Sequence, residues 1–279
     1  MTVTDVDTMT TARRPVPTAR RESHLRRVLG AEWIKTRSIR STQWSLVALA
    51  VATIGISILA CARTSARWSG MPLDQQQSTD VTNLSLNGWY LGQLIVGVLG
   101  VLAITSEYGN GMIRTTLAAV PQRRLLLAAK AVVLGAVVLG VALVLSFASF
   151  LIGQAFLAST GHGASLGNGD VLRAVVGAAL YATTIALLGF GLGGLFRSTA
   201  GAVSGLFGIL FLPPVLAEAF SGSWHRTIQR YAPMNAGSRV LAVLPSQNAL
   251  GPWAGMAVLA GYTAVVLVAA FWIVRHRDA

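Results

Sequence analysis

Residues Leu126–Leu157 read LLAAKAVVLGAVVLGVALVLSFASFLIGQAFL, 32 residues in which Lys130 is the one charged side chain. A helix needs about 20 predominantly apolar residues to cross about 30 Å of hydrocarbon. A soluble helix of this length would carry a polar stripe along one face, and this stretch has none. Five further blocks have the same character: Trp44–Cys61, Leu86–Thr105, Val175–Phe196, Ala200–Phe220 and Trp253–Val274. The expected fold is an all-α integral membrane protein with six transmembrane helices. The Leu126–Leu157 block exceeds one span, so it is expected to tilt or to extend into the cytoplasm. Pro213 and Pro214 are expected to interrupt the fifth block, because proline removes a helix hydrogen bond. Non-helical backbone at that depth has to face protein or water.

Only 11% of the 279 residues are charged, against about 25% in soluble chains. The net charge of +12 is unevenly placed. Sixteen lysines and arginines fall on the side of the N-terminal tail and six (Arg63, Arg67, Arg173, Arg226, Arg230, Arg239) on the other. Such asymmetry follows the positive-inside rule. It places both termini in the cytoplasm, as an even number of spans requires, at a plasma membrane. The basic excess then sets topology and meets anionic lipid, and no nucleic-acid partner is expected. One cysteine, Cys61, excludes an internal disulfide.

Residues 1–21, rich in Thr and Arg, lack apolar periodicity and are expected to be a disordered basic tail. Residues 22–279 form one six-span domain. Leu25, Val28, Leu29 and Trp33 recur at helical spacing, with Arg26, Arg27 and Lys35 elsewhere on the wheel. This is the pattern of an amphipathic interfacial helix lying on the membrane before the first span. The connection from Ala62 to Ser85 is polar, and Ser159–Asp170 is glycine-rich. The long segment Ser221–Pro252 carries Trp224, Ile228 and Tyr231 beside Arg226 and Arg230, which suggests a short interfacial or re-entrant helix. Gly189 with Gly193, and Gly201 with Gly205, have the four-residue spacing that lets membrane helices approach closely.

Gly163-Ala164-Ser165-Leu166-Gly167 matches the G-x-S-x-G of serine hydrolases. That chemistry needs a strand-to-helix elbow, whereas this copy lies in a short loop between helices. Gly167-Asn168-Gly169-Asp170 resembles the loop of intramembrane aspartyl proteases, but no span holds the second carboxylate needed to share a proton. No phosphate-cradling G-x-x-x-x-G-K-[ST] occurs, and four histidines and one cysteine offer no metal-ligand spacing. The spans also lack the carboxylates on which proton-coupled carriers depend. Glu218 sits at the outer end of the fifth block, where an arginine such as Arg226 is its expected partner. The energy for any transport is therefore expected from another chain.

The segment between the second and third blocks, Ser106–Arg124, is the densest in motif. An acid, Glu107, stands where the span meets water, and Gly109 and Gly111 permit a sharp turn. A short helix with Ile113, Leu117 and Val120 on one face and Arg114 on another follows, closed by Pro121 and by Arg123 and Arg124 at the headgroups. The pattern Glu107-Tyr108-x2-Gly111-Met112-Ile113-Arg114-Thr115-Thr116-Leu117-x3-Pro121-x2-Arg124-x5-Lys130 resembles the segment after the second span of type-2 ABC transporter permeases. Glu32–Ser38 with Arg40, Ser41 and Trp44, Pro252-Trp253-x-Gly255 and the terminal Arg275–Ala279 resemble the actinobacterial branch. The similarity covers about residues 25–279.

This resemblance implies a permease subunit that forms half of an export pathway, paired with a second subunit as a homo- or heterodimer. It implies a separate nucleotide-binding subunit that holds ATP and magnesium, and no cofactor on this chain. By the same resemblance Glu107, Tyr108, Gly111, Ile113, Arg114, Thr115, Leu117 and Arg124 contact that ATPase, together with the pre-span helix carrying Trp33, Lys35 and Arg37. Lys130 is expected to snorkel to the interface. Gln93, Gln154, Tyr181 and Thr184 are polar groups within spans that either face a substrate pathway or join helix to helix. The rival readings are a self-sufficient secondary carrier or channel, and a non-transport membrane scaffold.

Overall fold

The computed structural model describes Gly30, Ile34 and residues 40–109, 123–158, 161–246 and 249–276. Besides the helical residues Gly30 and Ile34, ten helices and two single 3₁₀ turns occur among them, and no strand. We number them α1 (Arg40–Arg67), α2 (Leu73–Ser78), α3 (Val81–Ser85), α4 (Trp89–Gly109), α5 (Arg123–Ala158), α6 (Gly169–Phe196), α7 (Thr199–Ala217), α8 (Gly222–Tyr231), α9 (Pro233–Ser238) and α10 (Pro252–His276). Six of them, α1, α4, α5, α6, α7 and α10, are long and apolar enough to cross a membrane. They correspond one to one with the six apolar blocks. The loop end of the bundle carries α2, α3, α8 and α9; the opposite end is called the tail end.

Helix α6 is the hub. In its apolar window 72% of residues are buried, against 22% for α1 and α7 and 17% for α10. It packs on α4, α5, α7 and α10. Small residues make that possible: a methyl on Gly100 of α4 would lie 2.0 Å from the Ala186 carbonyl oxygen, and one on Gly189 would lie 2.2 Å from that of Gly97. The expected close approach at Gly189 and Gly193 is therefore real and falls between α4 and α6. Gly201 and Gly205 do something else, making room for the ring of Phe196 across the α6–α7 turn.

That turn is tight. Arg197 adopts a left-handed backbone, φ 52°, and its N–H donates to the Gly193 carbonyl at 3.0 Å. Ser198 then caps α7, its Oγ accepting from the Gly201 N–H at 3.4 Å. The anticipated break at Pro213 and Pro214 is absent, for α7 stays helical through both to Ala217. Each proline lacks the N–H that would donate to the carbonyl four residues earlier, Ile209 or Leu210, and the helix continues past them only through Val215, Leu216 and Ala217. The next helix takes up the last carbonyls: Gln229 Nε2 donates to Pro214 O at 3.4 Å, and His225 Nδ1 lies 3.0 Å from Ala217 O.

Helix α5 spans 36 residues, about 54 Å at 1.5 Å per residue, which accounts for the surplus length of its block. Lys130, near its tail end, is buried rather than snorkelling. Helix α10 turns Trp253, Val265, Val268 and Trp272 outward. The two tryptophans are 19 positions apart, about 28 Å, the spacing of two membrane-water interfaces.

Candidate functional site

The tail end holds the segment expected to meet an ATPase. Helix α4 stays helical to Gly109, past the end of its apolar span at Ser106, so Glu107 and Tyr108 lie on a continuous helix. Helix α5 starts at Arg123, with Arg124 in its first turn. Gly111, Ile113, Arg114, Thr115 and Leu117 lie outside the described residues, as do Trp33, Lys35 and Arg37. Gly30 and Ile34 are helical, and Ile34 is exposed. Just inside the bundle Thr199 Oγ1 donates to Thr105 Oγ1 at 2.9 Å, and Thr105 Oγ1 donates to Val101 O at 3.1 Å. This chain ties the exit of α4 to the α6–α7 turn.

The four polar groups expected along a pathway are all engaged inside the chain. Tyr181 OH donates to Gln93 Oε1, and Gln93 Nε2 donates to Tyr90 O at 2.9 Å. Both side chains are fully buried between α4 and α6. Gln154 Nε2 donates to Val81 O at 3.1 Å and Ser85 Oγ at 2.9 Å, while its Oε1 accepts from Ala164 N–H at 2.7 Å. It thereby pins α3 and the 161–168 loop to α5. Thr184 Oγ1 donates to Leu180 O of its own helix at 2.8 Å. Tyr181→Phe should cost about 1 kcal/mol, because Gln93 Oε1 loses its donor. Thermal unfolding in detergent checks this, and the Gln93→Leu/Tyr181→Phe pair should recover part of the loss. Equal midpoints for parent and Tyr181→Phe would show the bond contributes nothing.

The loop end carries a clamp that sequence reading missed. Asp80 Oδ1 caps α3, accepting from the N–H groups of Thr82 at 3.1 Å and Asn83 at 2.9 Å. Its Oδ2 accepts from Val243 N–H at 2.6 Å and Leu244 N–H at 2.9 Å. One carboxylate thus joins the α1–α4 connection to the α7–α10 connection. Arg173 grips the same strip from α6, donating to Val240 O at 3.1 Å and Ala242 O at 3.2 Å, and pairs with Asp170 at 3.3 Å. The capping half of Asp80 was visible in Asp80-Val81-Thr82-Asn83. Its other half lies more than 160 residues away, where no local pattern reaches.

Glu218 also differs from expectation: its Oε1 accepts from Gln229 Nε2 at 2.8 Å rather than pairing with Arg226. Helix α8 lies against α7 so that Gln229, not an arginine, is presented to the carboxylate. The G-x-S-x-G loop is a plain turn in which Ser165 Oγ accepts from Gly167 N–H at 3.2 Å. His162 packs on Trp68 at a tilt of 37°, with ring centroids 4.9 Å apart. Among the described residues no group of three or more His, Cys, Asp or Glu could hold a metal.

No curated protein matches this chain significantly. A family model described as ABC-2 family transporter protein matches residues 28–216. The matched region runs from the pre-span segment through all of α1 to α6 and most of α7, and so includes the Glu107–Arg124 segment. It stops before α8, α9 and α10. With six membrane-length helices and a match over about two thirds of its length, the chain belongs to the ABC-2 transporter family and is a multi-pass permease component of ABC transport.

Proposed function

We propose that this chain is one half of an ATP-driven exporter, with both termini and the 107–124 segment in the cytoplasm. Hydrolysis takes place on a separate nucleotide-binding subunit that carries ATP and magnesium. A second permease subunit completes the pathway, against the apolar faces that α1, α7 and α10 leave uncovered. The observation that carries this reading is the run of the family match through the Glu107–Arg124 segment, joined to a helix α4 that stays helical past its apolar span. A push on Glu107 is delivered directly to α4. Because α4 and α6 meet backbone to backbone, they move as one body. Close-packed interfaces shift between discrete arrangements rather than deform. The distribution of lysine and arginine supports the orientation.

The test is co-purification with the cell's candidate nucleotide-binding subunit, with ATP hydrolysis measured for each protein alone and for the pair. Glu107→Ala with Arg114→Ala should weaken association about tenfold or more, since each removes a charge-assisted contact. Hydrolysis should fall back to that of the ATPase alone, while the permease's own unfolding midpoint stays unchanged. Undiminished stimulation in the double variant would remove both residues from coupling. Cargo flux in liposomes without any ATPase would favour the carrier reading instead.

A further inference from the structure

Beneath α8, at the loop end, lies an open cavity of about 320 Å³. Its walls include His225, Arg226, Gln229 and Arg230 from α8, Asn235 from α9, and Arg239 from the 3₁₀ turn that follows. Gln229 and Asn235 are fixed by hydrogen bonds to one another and to Glu218, so the wall between the arginines is ordered. Arg226 and Arg230 are four positions apart and share one face of α8.

The charge here is unbalanced. The sequence contains no Asp or Glu from Ala219 to Arg277. The four acids at this end stand elsewhere: Glu218, at the end of α7, accepts from Gln229, Asp74 is in the first turn of α2, Asp80, which lines the adjoining cavity with Arg239, already accepts four backbone N–H groups, and Asp170 pairs with Arg173. Among the described residues none of the three cavity arginines pairs with a carboxylate. Arg239 donates to Leu244 O at 3.2 Å through Nη2 and keeps its Nε buried without a hydrogen-bond partner. Arg230 lies 5.7 Å over the ring of Tyr231. A buried guanidinium donor without an acceptor is costly, and three like charges around one space repel unless an anion joins them.

The surroundings indicate the depth of the cavity. Leu212, Val215 and Leu216 on α7 are exposed, and the apolar surface continues through Phe220 to Trp224 and Tyr231. Exposed Trp and Tyr beside arginine mark the headgroup level of a bilayer. Planar guanidinium forks match phosphate oxygens in pairs.

We propose that this cavity binds a phosphate oxyanion, held by Arg226, Arg230 and Arg239. The phosphate belongs either to an anionic lipid headgroup or to a free phosphate-bearing molecule, and the two sources are separable. The full chain in neutral detergent is titrated calorimetrically with short-chain phosphatidylglycerol, with short-chain phosphatidylcholine as the zwitterionic baseline, and with inorganic phosphate. Saturable binding of phosphatidylglycerol alone identifies a lipid site. Binding of inorganic phosphate of comparable strength identifies a site for a free phosphate group. In either case Arg226→Gln with Arg230→Gln should weaken binding about a hundredfold, about tenfold per arginine. Arg63→Gln with Arg67→Gln, which removes equal charge at the same end of the bundle, should change it less than about twofold. Arg226 and Arg230 are exposed, so the cavity pair should unfold at the parent's temperature even if Arg239→Gln does not fold. Absence of saturable binding by either anion, or an equal loss in the Arg63 and Arg67 pair, would overturn the proposal.

Discussion

Gly189→Leu is expected to give no folded protein, and Gly189→Ala a chain destabilised by about 2–3 kcal/mol. A β-carbon at Gly189 falls 2.2 Å from the Gly97 carbonyl oxygen. That neighbour is backbone, so it cannot rotate away as a side chain would. The helices have to part, and with them go the contacts along the most buried interface of the bundle. Overpacking of a tight core costs about 1–3 kcal/mol, and separation also strains the buried Gln93–Tyr181 pair on the same two helices. In a membrane, where apolar burial hardly drives helices together, van der Waals fit is much of what holds them. The control is Gly261→Ala on α10, where nothing lies within 4 Å of the added methyl. There the better helix propensity of alanine should leave stability equal or raised by up to about 1 kcal/mol. Thermal unfolding and monodisperse yield in one detergent compare all three. Matching midpoints for Gly189→Ala and Gly261→Ala would mean that the α4–α6 contact does not hold the bundle together.

The same pair of helices shows what could be read from the chain before its structure. Apolar length alone located six spans, because hydrocarbon imposes one requirement on every helix that crosses it. Gly189 and Gly193 announced a close contact, since small residues at four-residue spacing form a flat strip. The partner could not be named, for Gly97 and Gly100 on α4 have no such spacing. The prolines at 213 and 214 were misread because a proline's effect depends on what takes up the freed carbonyls. Here the prolines free only the carbonyls of Ile209 and Leu210, four residues back, while α8 meets the final carbonyls of Pro214 and Ala217. Lys130 was expected at the interface from its chemistry, yet it is buried. Glu218 was assigned an arginine on charge alone, and geometry gave it Gln229. Gly255, noted only as part of a resemblance, has a physical reason: a β-carbon there would lie 2.1 Å from the Ala236 carbonyl oxygen, so α10 can approach α9 only through a glycine. Properties of a single helix were legible. Properties of two elements meeting were not: at the loop end the cap at Asp80 and the arginines of α8 stood in the sequence, while the reach of Asp80 to Val243 and Leu244 did not.

The second large effect is expected at Asp80. Asp80→Ala leaves four backbone N–H groups without their acceptor. Hydrogen bonds to a charged group contribute about 1.5–3 kcal/mol each when buried. Asp80 is half-buried, so water replaces part of the loss, and a total of about 2–4 kcal/mol is expected. Asp80→Asn should be nearly as damaging, because an amide presents one oxygen and one nitrogen to two pairs of donors. Asp80→Ser divides the two functions. A serine caps a helix about as well as an aspartate, so Thr82 and Asn83 keep their acceptor. The shorter side chain cannot also reach Val243 and Leu244. In this variant amide hydrogen exchange should rise by about tenfold or more at Val243 and Leu244, since losing about 1.4 kcal/mol of local protection is one factor of ten. At Thr82 and Asn83 it should stay near the parent's rate. The strip from Val240 to Leu244 would then rest on Arg173 and on the buried side chains of Val240 and Leu241. Unchanged exchange at Val243 and Leu244 would show that those contacts suffice and that the carboxylate only caps α3. A local rise would show that the two connections at the loop end are held together by one side chain. Opening that end of the bundle in a transport cycle would then require breaking the hydrogen bonds to Asp80 first.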